Sequence, residues 1–158
     1  ISRKGIYYIR ASRKAAARIY ENGSSFEIGK GNILKEGNTV LLISMGEVLH
    51  DALEAAYELE KQGISTEVID MFTVKPLDKD LILKESQGKK LVITFENHSI
   101  INGLGSAVAD VLAEHASQIP LRKIGICDQF GQVGSVGYLK TAYGLTKQHV
   151  IDEVRSLV

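Results

Sequence analysis

Short apolar runs alternate with segments of helical periodicity from residue 39 to the end of the chain. Four segments have the length and composition of strands, and they span residues 39–44, 66–71, 90–95 and 121–126. The first of them is a continuous apolar run, which indicates burial on both faces. Buried strands separated by helices are typical of a parallel sheet with helices on both faces. The pattern therefore predicts an α/β fold with three layers, α/β/α.

The predicted helices carry recognisable end signals. Apolar residues recur at helical spacing from 48 to 59, and Gly63 is placed to end that helix. Asp78 is an N-cap candidate for a helix over 79–86, and Thr146 is one for the last helix of the chain. Each helix is thus delimited by local signals as well as by its apolar face.

The residues before 39 have a different character. Residues 6–9 are aromatic or β-branched and predict a strand, and the basic stretch 10–20 fits either a short helix or an extended arm. A polar, glycine-containing segment follows, with a possible short strand at 26–28 and another at 33–34. The expected divisions of the chain are residues 1–20, a linker over 21–38, and the α/β domain over 39–158.

Charge and cysteine content exclude several classes of protein. Lysine plus arginine and aspartate plus glutamate number 19 each, and this balance argues against a dedicated nucleic-acid binder or a basic membrane-surface protein. No apolar run approaches the roughly 20 residues that cross a bilayer. The single Cys127 excludes a disulfide within this chain and argues against a cysteine-rich zinc site. A reducing cytoplasm is the simplest setting.

Candidate functional residues follow the predicted strands. Ligands of open α/β sheets bind at the carboxyl ends of strands, where the winding of the chain reverses. Glu96 and His98 could perform acid–base chemistry at such an edge, but a structural or interface role is equally compatible with a carboxylate beside an imidazole. The candidate crevice or interface residues are Gly46, Glu47, Glu96, His98 and Asp128.

A glycine pair, Gly103 and Gly105, opens the helix after the third buried run. It is reminiscent of a dinucleotide-binding loop, but the position of the third glycine is occupied by Val108, and the turn does not follow the first strand directly. We therefore expect the glycines to allow close packing of the helix start against the sheet. No metal site is expected.

Four motifs, in the same order, resemble the C-terminal domain of the transketolase family. They are Met71-Phe72-Thr73-Val74-Lys75-Pro76-Leu77-Asp78; Phe95-Glu96-Asn97-His98 with Gly103-Leu104-Gly105-Ser106-Ala107-Val108; Ile124-Gly125-Ile126-Cys127-Asp128-Gln129-Phe130; and Tyr143-Gly144-Leu145-Thr146. The resemblance covers about residues 39 to 152 and is strongest to split transketolases, which are encoded as two sections. Deoxyxylulose phosphate synthases and the beta subunits of 2-oxoacid dehydrogenases share the domain. The resemblance implies a mostly parallel five-stranded sheet with one antiparallel edge strand, for which residues 26–28 or their neighbours are the candidate.

The same resemblance implies which domain the first 20 residues belong to. Residues 6–13 are similar to the closing strand of the preceding pyrimidine-binding domain, so that residues 1–20 would be its tail and Ile1 would mark a cut in a longer polypeptide. Ser12-Arg13 matches a Ser-Arg pair whose arginine binds the phosphate of the sugar substrate. Arg13 is therefore expected to bind substrate phosphate in the complete enzyme.

The resemblance implies an enzyme that moves a two-carbon ketol unit between sugar phosphates with thiamine diphosphate and magnesium. The family holds the cofactor through a Gly-Asp-Gly motif, which this sequence lacks, and activates it with a glutamate of the pyrimidine-binding domain. The expected partners are accordingly the N-terminal and pyrimidine-binding domains, within a homodimer. No cofactor is expected to bind this chain alone, which would be inactive and would support assembly.

Two other functions remain open from the sequence. An independent α/β module could recognise a partner at the crevice formed by residues 45–47 and 96–98. A self-sufficient nucleotide enzyme would depend on Gly103 and Gly105 alone.

Overall fold

Five strands form one mixed sheet in the computed structural model, which describes residues 4–12 and 15–158. The strands are β1 (Asn32–Lys35), β2 (Val40–Ser44), β3 (Thr66–Asp70), β4 (Leu91–Ser99) and β5 (Leu121–Ile126). Their spatial order is β1-β3-β2-β4-β5, and β1 is antiparallel to β3 whereas the other neighbours are parallel. The predicted fold class, a mostly parallel five-stranded sheet with one antiparallel edge strand, is confirmed.

Helices cover both faces of this sheet. A 3-10 turn (Gly46–Val48) leads from β2 into the first helix; the five helices are α1 (Leu49–Glu60), α2 (Lys79–Ser86), α3 (Leu104–Glu114), α4 (Val136–Ala142) and α5 (Lys147–Leu157). Apolar residues of α1 and α5 pack in one core cluster, and those of α2 and α3 pack in another on the opposite side of the sheet. Within residues 4–12 and 15–158, no helix has the length and apolar character needed to cross a membrane.

The central strand β2 explains why its sequence is a continuous apolar run. Val40 and Leu42 belong to the cluster beneath α1 and α5, whereas Leu41 and Ile43 belong to the cluster beneath α2 and α3. All four side chains are fully buried. A strand flanked by parallel neighbours and covered on both faces is expected to be almost entirely apolar.

Local capping signals set the helix ends as the sequence predicts. The side chain of Asp78 accepts a hydrogen bond from the backbone N–H of Leu81 at 3.2 Å, and α2 begins at the next residue. Thr146 does the same for α5 by accepting from His149 at 3.3 Å. These bonds satisfy N–H groups that have no partner within the helix.

The structure corrects the predicted edge strand and the predicted strand over 6–9. Among the described residues, 26–28 do not form a strand, and the antiparallel edge strand is β1, which contains the alternative candidate 33–34. Residues 6–9 are also not in a strand, and Ile6 and Ile9 are exposed. A strand needs a hydrogen-bonded neighbour, and the described residues offer none at this position.

Candidate functional site

The predicted crevice lies where the chain reverses its direction of winding. β2 is followed by β3 on one side of it, and the chain then crosses to β4 on the other side. The carboxyl ends of β2 and β4 therefore form the switch point at which α/β sheets bind ligands. The side-chain amide of Asn97 on β4 donates a hydrogen bond to Glu47 Oε2 after β2, at 3.0 Å. This hydrogen bond joins the end of β4 to the turn that follows β2.

Gly46 allows the chain to turn sharply at the end of β2. Its φ of +67° lies in the left-handed region, which a side chain disfavours. A Cβ at this position would lie 3.7 Å from Asn97 Oδ1, so the position is not crowded. Gly46 is thus required by backbone conformation, and it places Glu47 within reach of Asn97.

Glu96 is a buried carboxylate that binds the start of α3. Its Oε2 accepts from the backbone N–H of Leu104 and its Oε1 from that of Gly105, both at 2.7 Å, and the residue is 1% exposed. A carboxylate at this place satisfies two orphan N–H groups and interacts favourably with the positive end of the helix dipole. The carboxylate of Glu96 therefore holds α3 against the end of β4.

The glycine pair makes this arrangement possible. A Cβ on Gly103 would lie 2.2 Å from Glu96 Oε2 and 2.6 Å from the backbone oxygen of Ser99. A Cβ on Gly105 would lie 2.7 Å from the side chains of Lys123 and Thr94. The two glycines thus admit the carboxylate and the close approach of helix and sheet, and the N–H groups that a phosphate would need are bonded to Glu96.

His98 is half-exposed and does not share a hydrogen bond with Glu96. Its Nδ1 lies 3.0 Å from the carbonyl oxygen of Ser99 and 3.9 Å from Glu96 Oε2. A separation of 3.9 Å is too long for a hydrogen bond between the two side chains, and both Glu96 oxygens already accept from α3. In this geometry Glu96 is a structural group, and His98 lies at the edge of the crevice.

Asp128 lies away from the switch point. It follows β5, the outermost strand on this side of the sheet, and is exposed. The structure shows no hydrogen bond or ion pair that joins it to Glu47, Glu96 or His98 within the described parts of the chain. The segment after it exposes Phe130 and Val133 fully.

The N-terminal arm, defined here as residues 4–12 and 15–20, contacts the carboxyl edge of the sheet through Arg10 and Tyr20. Arg10 Nη2 donates to the carbonyl oxygen of Asn97 at 2.9 Å. The hydroxyl of Tyr20 donates to Asp70 Oδ2 at 2.7 Å and accepts from Asn32 Nδ2 at 3.3 Å. The sequence analysis did not find these contacts, since they join residues 87 and 50 positions apart.

Burial alters the acidity of the Tyr20–Asp70 pair. Asp70 is 4% exposed, and desolvation raises its pKa while the hydrogen bond from Tyr20 opposes that rise. Desolvation also raises the pKa of Tyr20, and the neighbouring carboxylate adds to the effect. Tyr20 therefore stays protonated and serves as the donor.

Arg13, the predicted phosphate-binding residue, lies outside the described residues. In residues 4–12 and 15–158 there is no group of three or more histidine, cysteine or acidic side chains that could hold a metal ion. The helix start that might cradle a diphosphate is bonded to Glu96. The described residues thus do not fit a metal–diphosphate site.

Comparison with known proteins identifies what the chain resembles. A sequence model described as "Transketolase, C-terminal domain" matches residues 29–150. A 6-deoxy-6-sulfo-D-fructose transketolase subunit of Clostridium sp. (strain MSTE9) is 41% identical over 151 residues, which are 96% of this chain and 47% of that protein. A 1-deoxy-D-xylulose-5-phosphate synthase of Halothermothrix orenii is 39% identical over 136 residues, 85% of this chain and 21% of the synthase.

A solved structure gives the same result. It is described as "Split gene transketolase, inactive beta4 tetramer", has a TM-score of 0.86 and 39% identity, and the match covers 92% of this chain and 47% of that chain. This chain therefore spans about half the length of the transketolase subunit and of the solved chain that it matches here. The resemblance seen in the four sequence motifs is confirmed.

Proposed function

This chain belongs to the transketolase family through its C-terminal domain, and we propose that it acts within a thiamine-diphosphate-dependent transketolase that transfers a two-carbon ketol unit between sugar phosphates. The observation that carries the proposal is the family match over residues 29–150, together with a split-gene transketolase as a structural neighbour. In this proposal residues 1–20 end the preceding domain, residues 21–38 are a linker that contributes the edge strand β1, and residues 39–158 form the rest of the C-terminal domain.

The proposed role of the domain is assembly rather than chemistry. In the complete enzyme, thiamine diphosphate would supply the stabilised carbanion that ketol transfer needs, but the described residues do not hold it. The crevice residues Gly46, Glu47 and His98 would lie at an interface or at the entrance to the active site. Glu96 would keep α3 in place beneath these residues. Asp128 would lie at the edge of the same interface.

The proposed partners are the N-terminal and pyrimidine-binding domains, as a homodimer of the whole enzyme in the cytoplasm. The proposed substrate is a sugar phosphate, whose phosphate is bound by Arg13. An arginine guanidinium suits this task because its planar donors match two phosphate oxygens at once. The family resemblance of Ser12-Arg13 supports this role.

The test is reconstitution. The chain, with the rest of its enzyme, is assayed with thiamine diphosphate and magnesium against a panel of sugar phosphates, and the chain alone is assayed in parallel. We expect ketol transfer by the complete enzyme only. Absence of transfer by the complete enzyme, or activity of this chain alone, would overturn the proposal.

A synthase is the second candidate, favoured by the 39% identity to a 1-deoxy-D-xylulose-5-phosphate synthase. The same reconstituted enzyme distinguishes the two. With a 2-oxoacid donor added to the assay, formation of 1-deoxy-D-xylulose 5-phosphate on a three-carbon aldehyde phosphate, with release of carbon dioxide and without ketol exchange between sugar phosphates, would assign the synthase activity.

A further inference from the structure

One exposed segment of the chain is poor in charge. Residues 127–138, which follow β5 and reach into α4, are all exposed, and Asp128 is the only charged residue among them, although charged residues make up 24% of the chain. Phe130 and Val133 are fully exposed, and α4 buries none of its residues. Depletion of charge together with exposed aromatic and aliphatic side chains is typical of the centre of a protein interface. We refer to residues 127–135, which precede α4, as the Phe130 loop.

Two tyrosines hold the Phe130 loop in one conformation. The hydroxyl of Tyr143 accepts from the backbone N–H of Gln132 at 2.6 Å and donates to the carbonyl oxygen of Phe130 at 3.4 Å. The hydroxyl of Tyr138 donates to Gln132 Oε1 at 2.7 Å. A loop that its own chain already orders loses little conformational entropy when it binds a partner. The loop is therefore preorganised for contact, with its apolar side chains in solvent.

The N-terminal arm reaches the sheet next to this loop. Arg10 donates to the carbonyl oxygen of Asn97 on β4, and β4 continues to Ser99, which pairs with Ile126 at the end of β5. The Phe130 loop begins at the next residue. Because neighbouring strands lie about 4.8 Å apart, the arm and the loop meet the same edge of the sheet one strand apart. The arm itself exposes the apolar side chains of residues 6–9.

The size of the exposed segment favours an occupant that is tethered to it. A specific interface between separate proteins uses about 20–30 residues on each side, whereas residues 127–138 number twelve. A contact between domains of one polypeptide can be smaller, because the connecting chain keeps the two surfaces at high effective concentration. The transketolase subunit and the solved chain that match this chain are each about twice as long.

We propose that the Phe130 loop docks on the preceding domain of the same polypeptide, the domain of which residues 1–20 form the tail. Phe130 and Val133 contact an apolar surface of that domain, and the Tyr143 hydroxyl holds the loop in the docking conformation. The inference rests on the function proposed above, which supplies the preceding domain. A single connecting segment leaves the relative orientation of two domains free, and a second contact at the loop restrains it.

The test is photocrosslinking of the complete polypeptide, produced with the other sections of its enzyme. Phe130→p-benzoylphenylalanine places a photoreactive aromatic group in the loop, and Val133→p-benzoylphenylalanine provides a second position if the first disturbs docking. After irradiation and digestion, mass spectrometry identifies the linked peptides. We expect both positions to link, within one polypeptide, to residues that precede Ile1.

Tyr57→p-benzoylphenylalanine is the matched control, because Tyr57 is an exposed aromatic residue on α1. Crosslinks form only between groups in contact, so its yield of links to the preceding domain should be at most about a tenth of that from position 130. Equal yields from the two positions would overturn the inference, because they would show that the links do not depend on the loop.

Other products would also overturn it. Links confined to residues 1–158 of one polypeptide would show that the loop packs on its own domain. Links between two copies of the polypeptide would assign the loop to self-association, and links to a separate section of the enzyme would assign it to another partner. Absence of any link from both loop positions would show that the loop stays in solvent.

The role of Tyr143 is tested in the same assay. Tyr143→Phe removes both hydrogen bonds to the loop and keeps the ring, and it should lower the crosslinking yield from position 130 about threefold. Gly131→Ala is its control, since a Cβ there has no atom within 4 Å, and it should leave the yield unchanged. Equal yields from the two variants would overturn the positioning role of Tyr143.

Crosslinking needs neither substrate nor cofactor, so this inference and the proposed function fail separately. Links to the preceding domain in an enzyme that transfers no ketol unit would support the docking and overturn the proposed function. Ketol transfer by an enzyme that gives no such links would do the reverse.

Discussion

Two glutamates are buried at opposite ends of the sheet, and each is 1% exposed. Glu96, at the carboxyl edge, accepts two backbone N–H groups of α3 at 2.7 Å. Glu67, near the amino end of β3, lies 2.7 Å from the ammonium group of Lys89, and neither of its oxygens accepts a hydrogen bond from the described residues. One carboxylate is thus satisfied by a helix start and the other by a cation.

The difference shows that burial of a carboxylate does not by itself indicate chemistry. Burial raises the pKa of Glu67, and Lys89 opposes the rise only in part. Lys89 is also bonded to the carbonyl oxygen of Gly37 at 2.8 Å, which ties the loop before β2 to the loop before β4. Both glutamates hold loops together, one through the helix backbone and one through a side chain.

The largest expected effect follows from breaking the ion pair at the amino end. Lys89→Met leaves Glu67 buried without a cation and should lower the free energy of unfolding by about 3–4 kcal/mol. Urea-induced unfolding measures the change. The control is Lys79→Met, which breaks the exposed pair between Lys79 and Glu114 and should leave the free energy of unfolding nearly unchanged.

A second variant separates the lost pair from lost packing. Glu67→Met combined with Lys89→Met replaces both charges with apolar side chains, and it should recover most of the loss. If the double variant is as unstable as Lys89→Met, the ion pair is not the origin of the effect.

The next effect concerns the space occupied by the Glu96 carboxylate. Gly103→Ala places a Cβ 2.2 Å from Glu96 Oε2 and 2.6 Å from a backbone oxygen, and it should cost about 3 kcal/mol. Gly137→Ala is the control, since it adds a methyl group to α4 with no atom within 4 Å and should stabilise by up to about 1 kcal/mol. Equal stabilities of the two variants in urea would contradict the packing seen at α3.

A smaller loss is expected when Glu96 keeps its shape but loses an acceptor. Glu96→Gln presents an amide group to one of the two N–H donors of α3 and should cost about 2 kcal/mol. Glu114→Gln, at an exposed position on α3, should leave the unfolding temperature nearly unchanged. Thermal unfolding of the two variants makes the comparison, and a neutral Glu96→Gln would mean that the two bonds contribute little.

Local signals account for what the sequence predicts well. The bounds of α2 and β5 agree with the prediction because a capping aspartate and Pro120 stand directly before them. In contrast, α4 was missed because it buries no residue and so has no apolar periodicity. β4 runs on to Ser99 because its pairing with β5 resumes there after an irregularity that follows Phe95, and a search for apolar runs cannot detect this polar extension.

The sequence also predicts only some of the contacts in the candidate site. Topology alone brings Gly46 and Glu47 next to Asn97, so the sequence pattern was sufficient to predict their proximity. The hydrogen bonds of Arg10 to Asn97 and of Tyr20 to Asp70 join residues 87 and 50 positions apart, which no local pattern encodes. The sequence is compatible with either an acid–base role or a structural role for Glu96. The positions of the α3 backbone N–H groups favour the structural role.

The smallest effect is a difference in pH dependence at the amino end. The pKa of Glu67 is raised above its ordinary value of 4.5 in the folded protein, so the folded state binds this proton more tightly than the unfolded state does. Below about pH 4.5 the Glu67 carboxyl is protonated and does not lower the free energy of unfolding. As the pH rises through the raised pKa, ionisation of this buried carboxyl lowers the free energy of unfolding. Against Glu67→Gln, which does not titrate, the wild-type protein should lose stability as the pH rises from 4.5. Urea unfolding of both proteins between pH 4 and 7 tests this, and parallel curves would mean that Lys89 compensates the burial of Glu67 completely.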